Sequence, residues 1–507
     1  MNDQKPKHQV MLIVLDGWGH RADTNHNAIA NARTPFFDSL WAKYPHALIE
    51  ASGQDVGLPE GQIGNSEVGH MTIGSGTIID TDLVAITKAF RDGTFEKNPA
   101  FVELVAHIKK NNSTLHLMGL VSPGGVHSHS THLDGILHAV KNSGITKVSI
   151  HAFTDGRDTP PQSASKYLAE LEALIADVGI GRIATASGRF FAMDRDKNFD
   201  RLALAEAAMW EGRGRIVSGI LPSQDIAEQH KNNVVDEHLE PTVYLDENGV
   251  ASIVRPHDGI LMWNFRPDRS RMLAQNILKR AEAEDLKLLT FTQYENDTKA
   301  LVAFTKGKIA TTIAKEVSQA GLTQVHVAET EKYAHATYFL NGGVEEKYPG
   351  EEHVMIESRK DVPTHDLAPK MRAKEIADAA LQHIAKGTDF IFVNFANSDM
   401  VGHTANKEAI IIAVEEVDAQ LSRVVPAMLQ SGGVALITAD HGNAETNIDP
   451  ESGERHTAHT HNPVPAIITD VSITMREKGG LADIAPTTLK LLGLPIPQIM
   501  TGKSLVQ

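Results

Sequence analysis

The feature that most constrains the fold is an apolar run that leads to an acidic residue and recurs along the chain. "VMLIVLDGWG" leads to Asp16, "DFIFVNFANSD" to Asp399 and "GVALITADHGN" to Asp440. Amphipathic segments such as "KEAIIIAVEEVDAQLSRVVPAML" lie between them. Apolar runs that alternate with amphipathic helices are typical of α/β units around a mainly parallel sheet. We therefore predict an α/β fold in which the three aspartates meet at the carboxyl ends of the strands.

The middle of the chain has a different character and carries most of the interesting arginines. They occur in "FTDGRDTPP", "SGRFFAMDRD" and "WNFRPDRSR", and histidines cluster in "GGVHSHSTH". The apolar stretches "TLHLMGLVS", "KVSIHAFTD" and "RIATASGRF" again indicate α/β periodicity. We predict a second α/β domain at residues 81–304, inserted into a discontinuous first domain at residues 1–80 and 305–507. The chain length of 507 residues agrees with two domains.

Charge and composition exclude several classes of function. The formal net charge of −16 argues against nucleic-acid binding, which depends on basic residues that neutralise phosphates. The absence of cysteine excludes disulfides, thiolate catalysis and thiolate metal sites. The apolar run near the N-terminus is far shorter than the roughly 20 residues of a membrane span. We predict a protein of the cytoplasm with neither a nucleic-acid nor a membrane partner.

Aspartates and histidines in the C-terminal half suggest a metal site. Asp399 and His403 are spaced i, i+4 in "SDMVGH", and Asp440 precedes His441 in "ADHGN". The segment "RHTAHTHNPVP" adds three more candidates, His456, His459 and His461. Each pattern alone is common in surface loops, but together they favour a site of carboxylate and imidazole ligands. Such a donor set suits Mn, Zn, Co or Fe.

Ser66 lies in "GQIGNSEVGH", residues 61–70. Three glycines in ten residues disfavour a regular helix or strand, so the segment is predicted to form a turn. Serine, asparagine and glycine are frequent in turns for local reasons, so Ser66 can be a turn residue without a catalytic role. A hydroxyl near two metal ions becomes acidic, however, and Ser66 is therefore also a candidate metal-activated nucleophile.

Several motifs together resemble the cofactor-independent (2,3-bisphosphoglycerate-independent) phosphoglycerate mutases of the alkaline-phosphatase-like superfamily. They occur in the family's order along nearly the whole chain: "LDGWG", "GNSEVGH", "GGVHSH", "DGRDTPP", "SGRFFAMDRD", "NFRPDR", "EKYAHATYFLNGG", "NSDMVGHT" and "TADHGNAE". The resemblance implies an alkaline-phosphatase-like metal-binding domain with an inserted phosphotransferase domain. It also implies a monomeric glycolytic isomerase that interconverts 3-phosphoglycerate and 2-phosphoglycerate without 2,3-bisphosphoglycerate.

The resemblance further implies two divalent metal ions, of the manganese type. One would be bound by Asp399, His403 and His459, although His456 and His461 flank the last of these and could replace it. The second ion would be bound by a set of four residues: Asp16, Ser66, Asp440 and His441. The implied substrate ligands are His127, Arg157, Asp158, Arg189, Arg195, Arg266, Arg269 and Lys332. His129 and His132 are expected to be structural, and no function is attached to Pro123.

The mechanism that the resemblance implies is a two-step phosphoryl transfer through phosphorylated Ser66. Asp158 would act as acid and base for the glycerate hydroxyls. Closure of the two domains would exclude water from the phosphoserine. A metal-dependent phosphatase or a phosphopentomutase of the same superfamily is the alternative, but "DGRDTPP" and "NFRPDR" favour phosphoglycerate. A metal- or anion-binding protein without catalysis is disfavoured because every expected catalytic position is filled.

Overall fold

The computed structural model of the chain describes residues 9–296, 298–305, 307 and 309–507. Residues 1–8, which belong to the predicted first domain, lie outside the described residues. The chain divides into two compact units. Unit 1 comprises Met1–Thr81 and Gly307–Gln507, and unit 2 comprises Asp82–Lys306.

The strands of both units are short and mostly buried. In chain order they are β1 (Val10–Leu15), β2 (His46–Glu50), β3 (Leu115–Leu120), β4 (Val148–Thr154), β5 (Arg182–Gly188), β6 (Arg215–Val217), β7 (Thr242–Tyr244), β8 (Gly259–Met262), β9 (Lys287–Thr290), β10 (Leu301–Val302), β11 (Gln324–Glu329), β12 (Glu351–Ile356), β13 (Phe390–Phe395), β14 (Val434–Thr438), β15 (Val464–Ile468) and β16 (Lys478–Gly480).

The α-helices alternate with these strands. They are α1 (Ala28–Asn31), α2 (Pro35–Lys43), α3 (Ser66–Ser75), α4 (Asp82–Arg91), α5 (Pro99–Asn111), α6 (Thr131–Asn142), α7 (Ala164–Val178), α8 (Arg189–Ala192), α9 (Phe199–Glu206), α10 (Pro222–Lys231), α11 (Arg271–Glu284), α12 (Ile313–Gln319), α13 (Ala373–Lys386), α14 (Asn397–Gly402), α15 (Lys407–Gln430) and α16 (Ile484–Leu491). Short 3₁₀ or π turns cover Gly53–Val56, Phe95–Lys97, Ala207–Glu211, Asp236–His238, Thr330–Lys332, His335–Phe339, His365–Leu367 and Leu481–Asp483.

The sheet of unit 1 has the strand order β12-β11-β13-β1-β14-β15-β2-β16. Its central strand β1 pairs in parallel with β13 and β14, and β11 pairs in parallel with β12 and β13. Every residue of β1 is buried, because helices cover both faces of a parallel sheet. The sheet departs from the parallel pattern at β15, which is antiparallel to β14 and β2. No helix lies between β14 and β15, so the chain returns without a crossover.

The sheet of unit 2 has the order β10-β9-β8-β3-β4-β5-β7-β6. All of its strand pairs are parallel except β5 with β7. The apolar stretches identified in the middle of the sequence form β3, β4 and β5. The predicted α/β class with mainly parallel sheets is therefore confirmed. None of the helices in the described residues is long and apolar enough to cross a lipid bilayer.

Candidate active site

In unit 1, four neighbouring parallel strands deliver charged side chains to one edge of the sheet. Asp16 directly follows β1, and Asp440 stands two residues after β14. Asp399 lies in α14, which begins just after β13, and Lys332 ends the 3₁₀ turn after β11. Because these strands run in parallel, their carboxyl ends meet. The three aspartates and the lysine consequently share one cluster.

Lys332 lies at the centre of this cluster. Its Nζ is 2.7 Å from Asp16 Oδ1 and 2.7 Å from Asp399 Oδ2. Burial lowers the pKa of the ammonium, but the carboxylates of Asp16, Asp399 and Asp440 outweigh burial and raise it. The pKa of Asp16 is raised by burial and by the nearby carboxylate of Asp440. Three buried carboxylates thus share one ammonium, which leaves an excess of negative charge that a cation would neutralise.

Ser66 is brought into contact with this cluster by α3. The prediction of a turn here was wrong, because Ser66 is the first residue of that helix and the side chain of Asn65 caps it by accepting from Val68 N at 3.0 Å. Gly69 lies inside the helix, where an added Cβ would lie 2.8 Å from Asp440 O. The glycine therefore permits close packing rather than a turn. Ser66 is buried, and its position at a helix N-terminus favours a negative charge on the hydroxyl oxygen.

The Ser66 hydroxyl has polar partners on several sides. Lys332 Nζ donates to Ser66 Oγ at 2.7 Å, and Ser66 Oγ lies 2.8 Å from His441 Nε2 and 3.3 Å from Asp16 Oδ1. His441 Nε2 is also 3.4 Å from Asp440 Oδ2. The serine oxygen, an imidazole nitrogen and two carboxylates therefore face one another.

Two histidines are oriented by backbone carbonyls. His403 Nδ1 lies 2.7 Å from Thr457 O, and His459 Nδ1 lies 2.8 Å from Gly64 O. A carbonyl oxygen can only accept, so each Nδ1 carries the proton and each Nε2 presents a lone pair when the ring is neutral. Both Nε2 atoms lie 3.2 Å from Asp399 Oδ1. Metal-ligating histidines have this arrangement.

The two lone pairs fit a bound cation. The Nε2 atoms of His403 and His459 lie 3.2 Å apart, so neutral rings place two acceptors face to face. The hydrogen bond with Asp399 raises the pKa of His403. Burial lowers the pKa of His459, but its hydrogen bond with Asp399 outweighs burial and raises it. Two protonated rings would instead bring two N–H groups together. A cation bound by both Nε2 atoms and the Asp399 carboxylate removes the repulsion between two lone pairs and makes protonation of the rings unnecessary.

The groups that could hold an ion include most of the predicted ligands. Asp399, His403 and His459 form one group, and Asp16, Asp399 and His441 form another, with ligand atoms within 4.8 Å of one another. Within the described residues, neither His456 nor His461 belongs to such a group. The structure thus brings His459 to Asp399, and the two flanking histidines remain outside.

A further group near the strand edge does not need an ion. It consists of His326, Glu351 and His353 on β11 and β12. His353 Nε2 lies 2.6 Å from Glu351 Oε1, and His326 Nδ1 lies 2.8 Å from Ala336 O. Hydrogen bonds occupy these atoms, although His326 Nε2 is buried without a hydrogen-bond partner, and we regard this group as structural.

In unit 2, one carboxylate gathers three of the predicted substrate ligands. Asp268 Oδ1 lies 3.1 Å from Arg266 Nε and 3.7 Å from His127 Nδ1, and Asp268 Oδ2 lies 3.3 Å from Arg195 NH1. Burial, followed by the charge of Arg189, lowers the pKa of His127 to about 4. Sequence reasoning missed Asp268, although it stands between two predicted arginines in "NFRPDR".

Arg189 is the buried member of the same unit. Its NH1 group lies 2.6 Å from Asp158 Oδ2 and 2.6 Å from Asp155 Oδ1. Asp155 also accepts from Ser122 Oγ at 2.7 Å. Asp155 was not among the predicted residues, and the one available signal was its place in "DGRDTPP".

The arginines of unit 2 create a positive potential. Arg157 is half exposed and lies 3.5 Å from Glu237, whereas Arg269 NH1 donates to Met193 O at 3.2 Å. Burial lowers the pKa of Arg269, and repulsion by the nearby guanidinium groups lowers it further. These groups belong to Arg189, Arg195 and Arg157. A site with this potential can bind a small molecule that carries phosphate or carboxylate.

Comparisons with known proteins decide the family. A model of the Metalloenzyme superfamily matches residues 8–496. The chain is 47% identical to the 2,3-bisphosphoglycerate-independent phosphoglycerate mutase of Chloroflexus aggregans, with 98% of each chain covered. It is 45% identical to the enzyme of the same name from Listeria innocua, with 99% of each chain covered. The chain belongs to the 2,3-bisphosphoglycerate-independent phosphoglycerate mutases.

A solved structure agrees with this family. The Leishmania mexicana phosphoglycerate mutase, solved at low cobalt concentration, is 28% identical, with a TM-score of 0.55 and coverage of 100% of this chain and 99% of that one. The predicted family and enzyme class, an isomerase, are confirmed. The superfamily match also agrees with a divalent metal cofactor.

The phosphoglycerate mutase contains one further residue that sequence reasoning missed, His70 in "GNSEVGH". His70 Nδ1 lies 2.9 Å from Ser66 O, and its Nε2 lies 3.0 Å from Asn394 Nδ2. Asn394 Nδ2 also donates to Asp16 Oδ2 at 2.8 Å. His70 Nδ1 also lies 3.3 Å from Asp440 Oδ2, and Asp16, His70 and Asp440 form another group that could hold an ion. Hydrogen bonds occupy both ring nitrogens of His70, so we regard it as a residue that orients Ser66 and Asn394. His129 and His132, predicted to be structural, lie within hydrogen-bond distance of Thr131 and Thr87.

Proposed function

We propose that this phosphoglycerate mutase interconverts 3-phosphoglycerate and 2-phosphoglycerate by phosphoryl transfer through Ser66. One observation carries the proposal. The Ser66 hydroxyl lies at a helix N-terminus, 2.7 Å from Lys332 Nζ and 2.8 Å from His441 Nε2, among buried carboxylates. This is the environment of an activated nucleophile.

The proposal includes two divalent ions, with Mn²⁺ favoured by the mixed carboxylate and imidazole donors. Asp399, His403 and His459 would hold one of them. The residues for the other are Asp16, Ser66, Asp440 and His441. Bound ions of this kind lower the pKa of a serine hydroxyl and neutralise charge on a phosphoryl group.

The side chains of unit 1 would stabilise the phosphoryl group during transfer. Lys332 is held in its ammonium form by Asp16 and Asp399, so it presents a fixed positive charge beside Ser66. The N-terminus of α3, where Ser66 stands, adds a partial positive charge. Ser66 Oγ would attack phosphorus, and the bond from phosphorus to the 3-oxygen of glycerate would break. Fixed positive groups around the transferring phosphoryl group supply much of the catalysis in such reactions.

The residues of unit 2 would bind the glycerate part of the substrate. The predicted arginines form a cationic group that fits carboxylate and phosphate, and His127, with its lowered pKa, adds a neutral imidazole. With Ser66 as the alkoxide, Asp158 in its protonated form would give its proton to the departing 3-oxygen. It would regain a proton from the 2-hydroxyl when the 2-oxygen attacks phosphorus, so no proton is gained or lost over the cycle. Glycerate would reorient within the site without dissociating, and its 2-oxygen would then take the phosphoryl group from Ser66.

We also propose that the enzyme acts as a monomer in the cytoplasm and without 2,3-bisphosphoglycerate. The composition supports the location, because a chain without cysteine is compatible with a reducing compartment. The names of the relatives support independence from 2,3-bisphosphoglycerate. Size-exclusion chromatography with light scattering tests the monomer, for which one chain per particle is expected.

Phosphorus NMR tests the reaction. The full chain is incubated with Mn²⁺ and 3-phosphoglycerate, with no 2,3-bisphosphoglycerate added. We expect a 2-phosphoglycerate signal that grows to a constant ratio. Ser66→Ala should abolish it, whereas Ser75→Ala, at the other end of the same helix, should retain it. Release of inorganic phosphate alone would support the phosphatase alternative instead.

A further inference from the structure

A buried glutamate, which is not itself a proposed metal ligand, connects segments of the chain that carry proposed metal ligands. Glu445 lies beyond β14, and its side chain is fully buried in unit 1. Its Oε2 accepts from Asn443 N at 2.9 Å and from Gly19 N at 3.1 Å. Its Oε1 accepts from Asn462 Nδ2 at 2.9 Å and from the hydroxyl of Thr460. All four of these donors converge on one carboxylate.

The four donors belong to two connections of the chain, the loop beyond β1 and the long segment between β14 and β15. Gly19 stands three residues after Asp16 in the loop beyond β1. Asn443 follows the pair Asp440 and His441 beyond β14, and it also donates through Nδ2 to Asp399 Oδ1 at 2.8 Å. Of the remaining two donors, Thr460 directly follows His459 and Asn462 lies three residues after it. One carboxylate therefore links the loop beyond β1 to the two parts of the β14–β15 segment that carry proposed metal ligands, those of His441 and His459.

The carboxylate of Glu445 leaves no room for a side chain at two glycines of the sequence motifs. A Cβ on Gly19, the second glycine of "LDGWG", would lie 2.3 Å from Glu445 Cδ. A Cβ on Gly442, in "DHGN", would lie 2.5 Å from Glu445 Oε1. The backbone of both loops thus packs directly against the carboxylate, and no larger residue fits there without displacing it. The site is built around the glutamate.

We propose that Glu445 is a positioning residue that holds the metal-ligand loops at the spacing required for binding. This inference depends on the proposed ligand set. A carboxylate is required because its two oxygens accept from four donors. Glutamine has one accepting oxygen, and its amide group would turn an N–H toward groups that are themselves donors. Buried donors without an acceptor are costly, so the loops would separate to reach water.

The test measures the affinity of the full chain for Mn²⁺. The electron paramagnetic resonance signal of the free ion reports how much Mn²⁺ stays unbound. Glu445→Gln should weaken Mn²⁺ binding by roughly 10- to 100-fold, the usual effect of removing an orienting partner of a metal ligand. The matched control is Asp418→Asn. Asp418 is also a buried carboxylate, but it accepts from the backbone of Phe36 and Phe37, at 3.2 and 2.7 Å. That variant should unfold more easily yet bind Mn²⁺ as the unmodified chain does.

Two results would overturn the proposal. One is unchanged Mn²⁺ affinity in Glu445→Gln, and the other is an equal loss of affinity in Asp418→Asn. If Glu445→Gln does not fold, Thr460→Val removes a single donor and is judged by the same criteria. His459→Ala separates this proposal from the ligand assignment. If both His459→Ala and Glu445→Gln bind Mn²⁺ normally, the assignment of His459 as a metal ligand is wrong. If Glu445→Gln binds normally and His459→Ala does not, only the positioning role of Glu445 is wrong.

Discussion

Lys332 brings one ammonium into contact with Ser66, Asp16 and Asp399. Replacing it with methionine keeps a long side chain but leaves the carboxylates without this cation. Because Lys332 is not a proposed metal ligand, we expect Lys332→Met to retain Mn²⁺ binding. The turnover number should fall by roughly 10²- to 10³-fold, as when other preorganised donors are removed from a transition state.

Turnover measured by phosphorus NMR checks this prediction for Lys332. The control is Lys315→Met, because Lys315 is only partly buried and donates to the carbonyl oxygen of Ala310. That variant should react at the unmodified rate. Full turnover in Lys332→Met would show that its charge is not needed for phosphoryl transfer.

Protons and metal compete for His403 and His459. The pKa of each imidazole is raised above its ordinary value of 6.5. A raised pKa means that protons already compete at near-neutral pH, and a histidine must lose its Nε2 proton to bind a metal ion. Mn²⁺ affinity should therefore fall as the pH is lowered, by about tenfold or more between about pH 8 and about pH 6. Calorimetric titration in two buffers should also detect proton release. A pH-independent affinity without proton release would contradict the ligand assignment.

At the scale of elements, α3 positions Ser66 by packing closely against the loop of Asp440. Gly69→Ala would place a methyl group 2.8 Å from Asp440 O, so the helix or the loop must move. We expect a loss of about 1–3 kcal/mol in the free energy of unfolding, the usual cost of overpacking, together with weaker Mn²⁺ binding. Urea denaturation measures the first quantity. The control is Gly480→Ala, whose Cβ would meet its nearest neighbour, Glu50 O, at 3.7 Å. Equal stability of the two variants would show that α3 tolerates displacement.

The comparison of sequence with structure also belongs to the elements. Strands such as β1 could be predicted because a run of apolar residues buried on both faces leaves a clear pattern. The helix at Ser66 could not be predicted, because glycines argue against a helix. Gly69 is required there by its contact with Asp440, 371 positions further along the chain (440 − 69). Glu445 ends the quoted motif "TADHGNAE", but its bond to Gly19, 426 residues away, is visible only in three dimensions. Asp268 and His70 stand inside quoted motifs, but their hydrogen bonds are visible only in three dimensions.

At the scale of the whole molecule, the two units carry different chemistry. Unit 1 holds the carboxylates, the imidazoles and Ser66, and unit 2 holds the cationic group around Arg189, Arg195 and Arg266. The sequence predicted this division of residue types because the acidic motifs and the arginine motifs occupy separate stretches of the chain. In the proposed reaction, the phosphoryl group passes through Ser66 of unit 1.

The most direct test of this account is mass spectrometry of the chain after acid quenching during turnover. The Mn²⁺-loaded enzyme is mixed with 3-phosphoglycerate, quenched within milliseconds to seconds and digested. The account predicts one phosphoryl group on the peptide that contains Ser66, which disappears when substrate is exhausted by a coupled reaction. Ser75→Ala should give the same modified peptide, and Ser66→Ala none. A chain that turns over rapidly while Ser66 stays unmodified at every quench time, or that carries the phosphoryl group on another residue, would contradict the central claim.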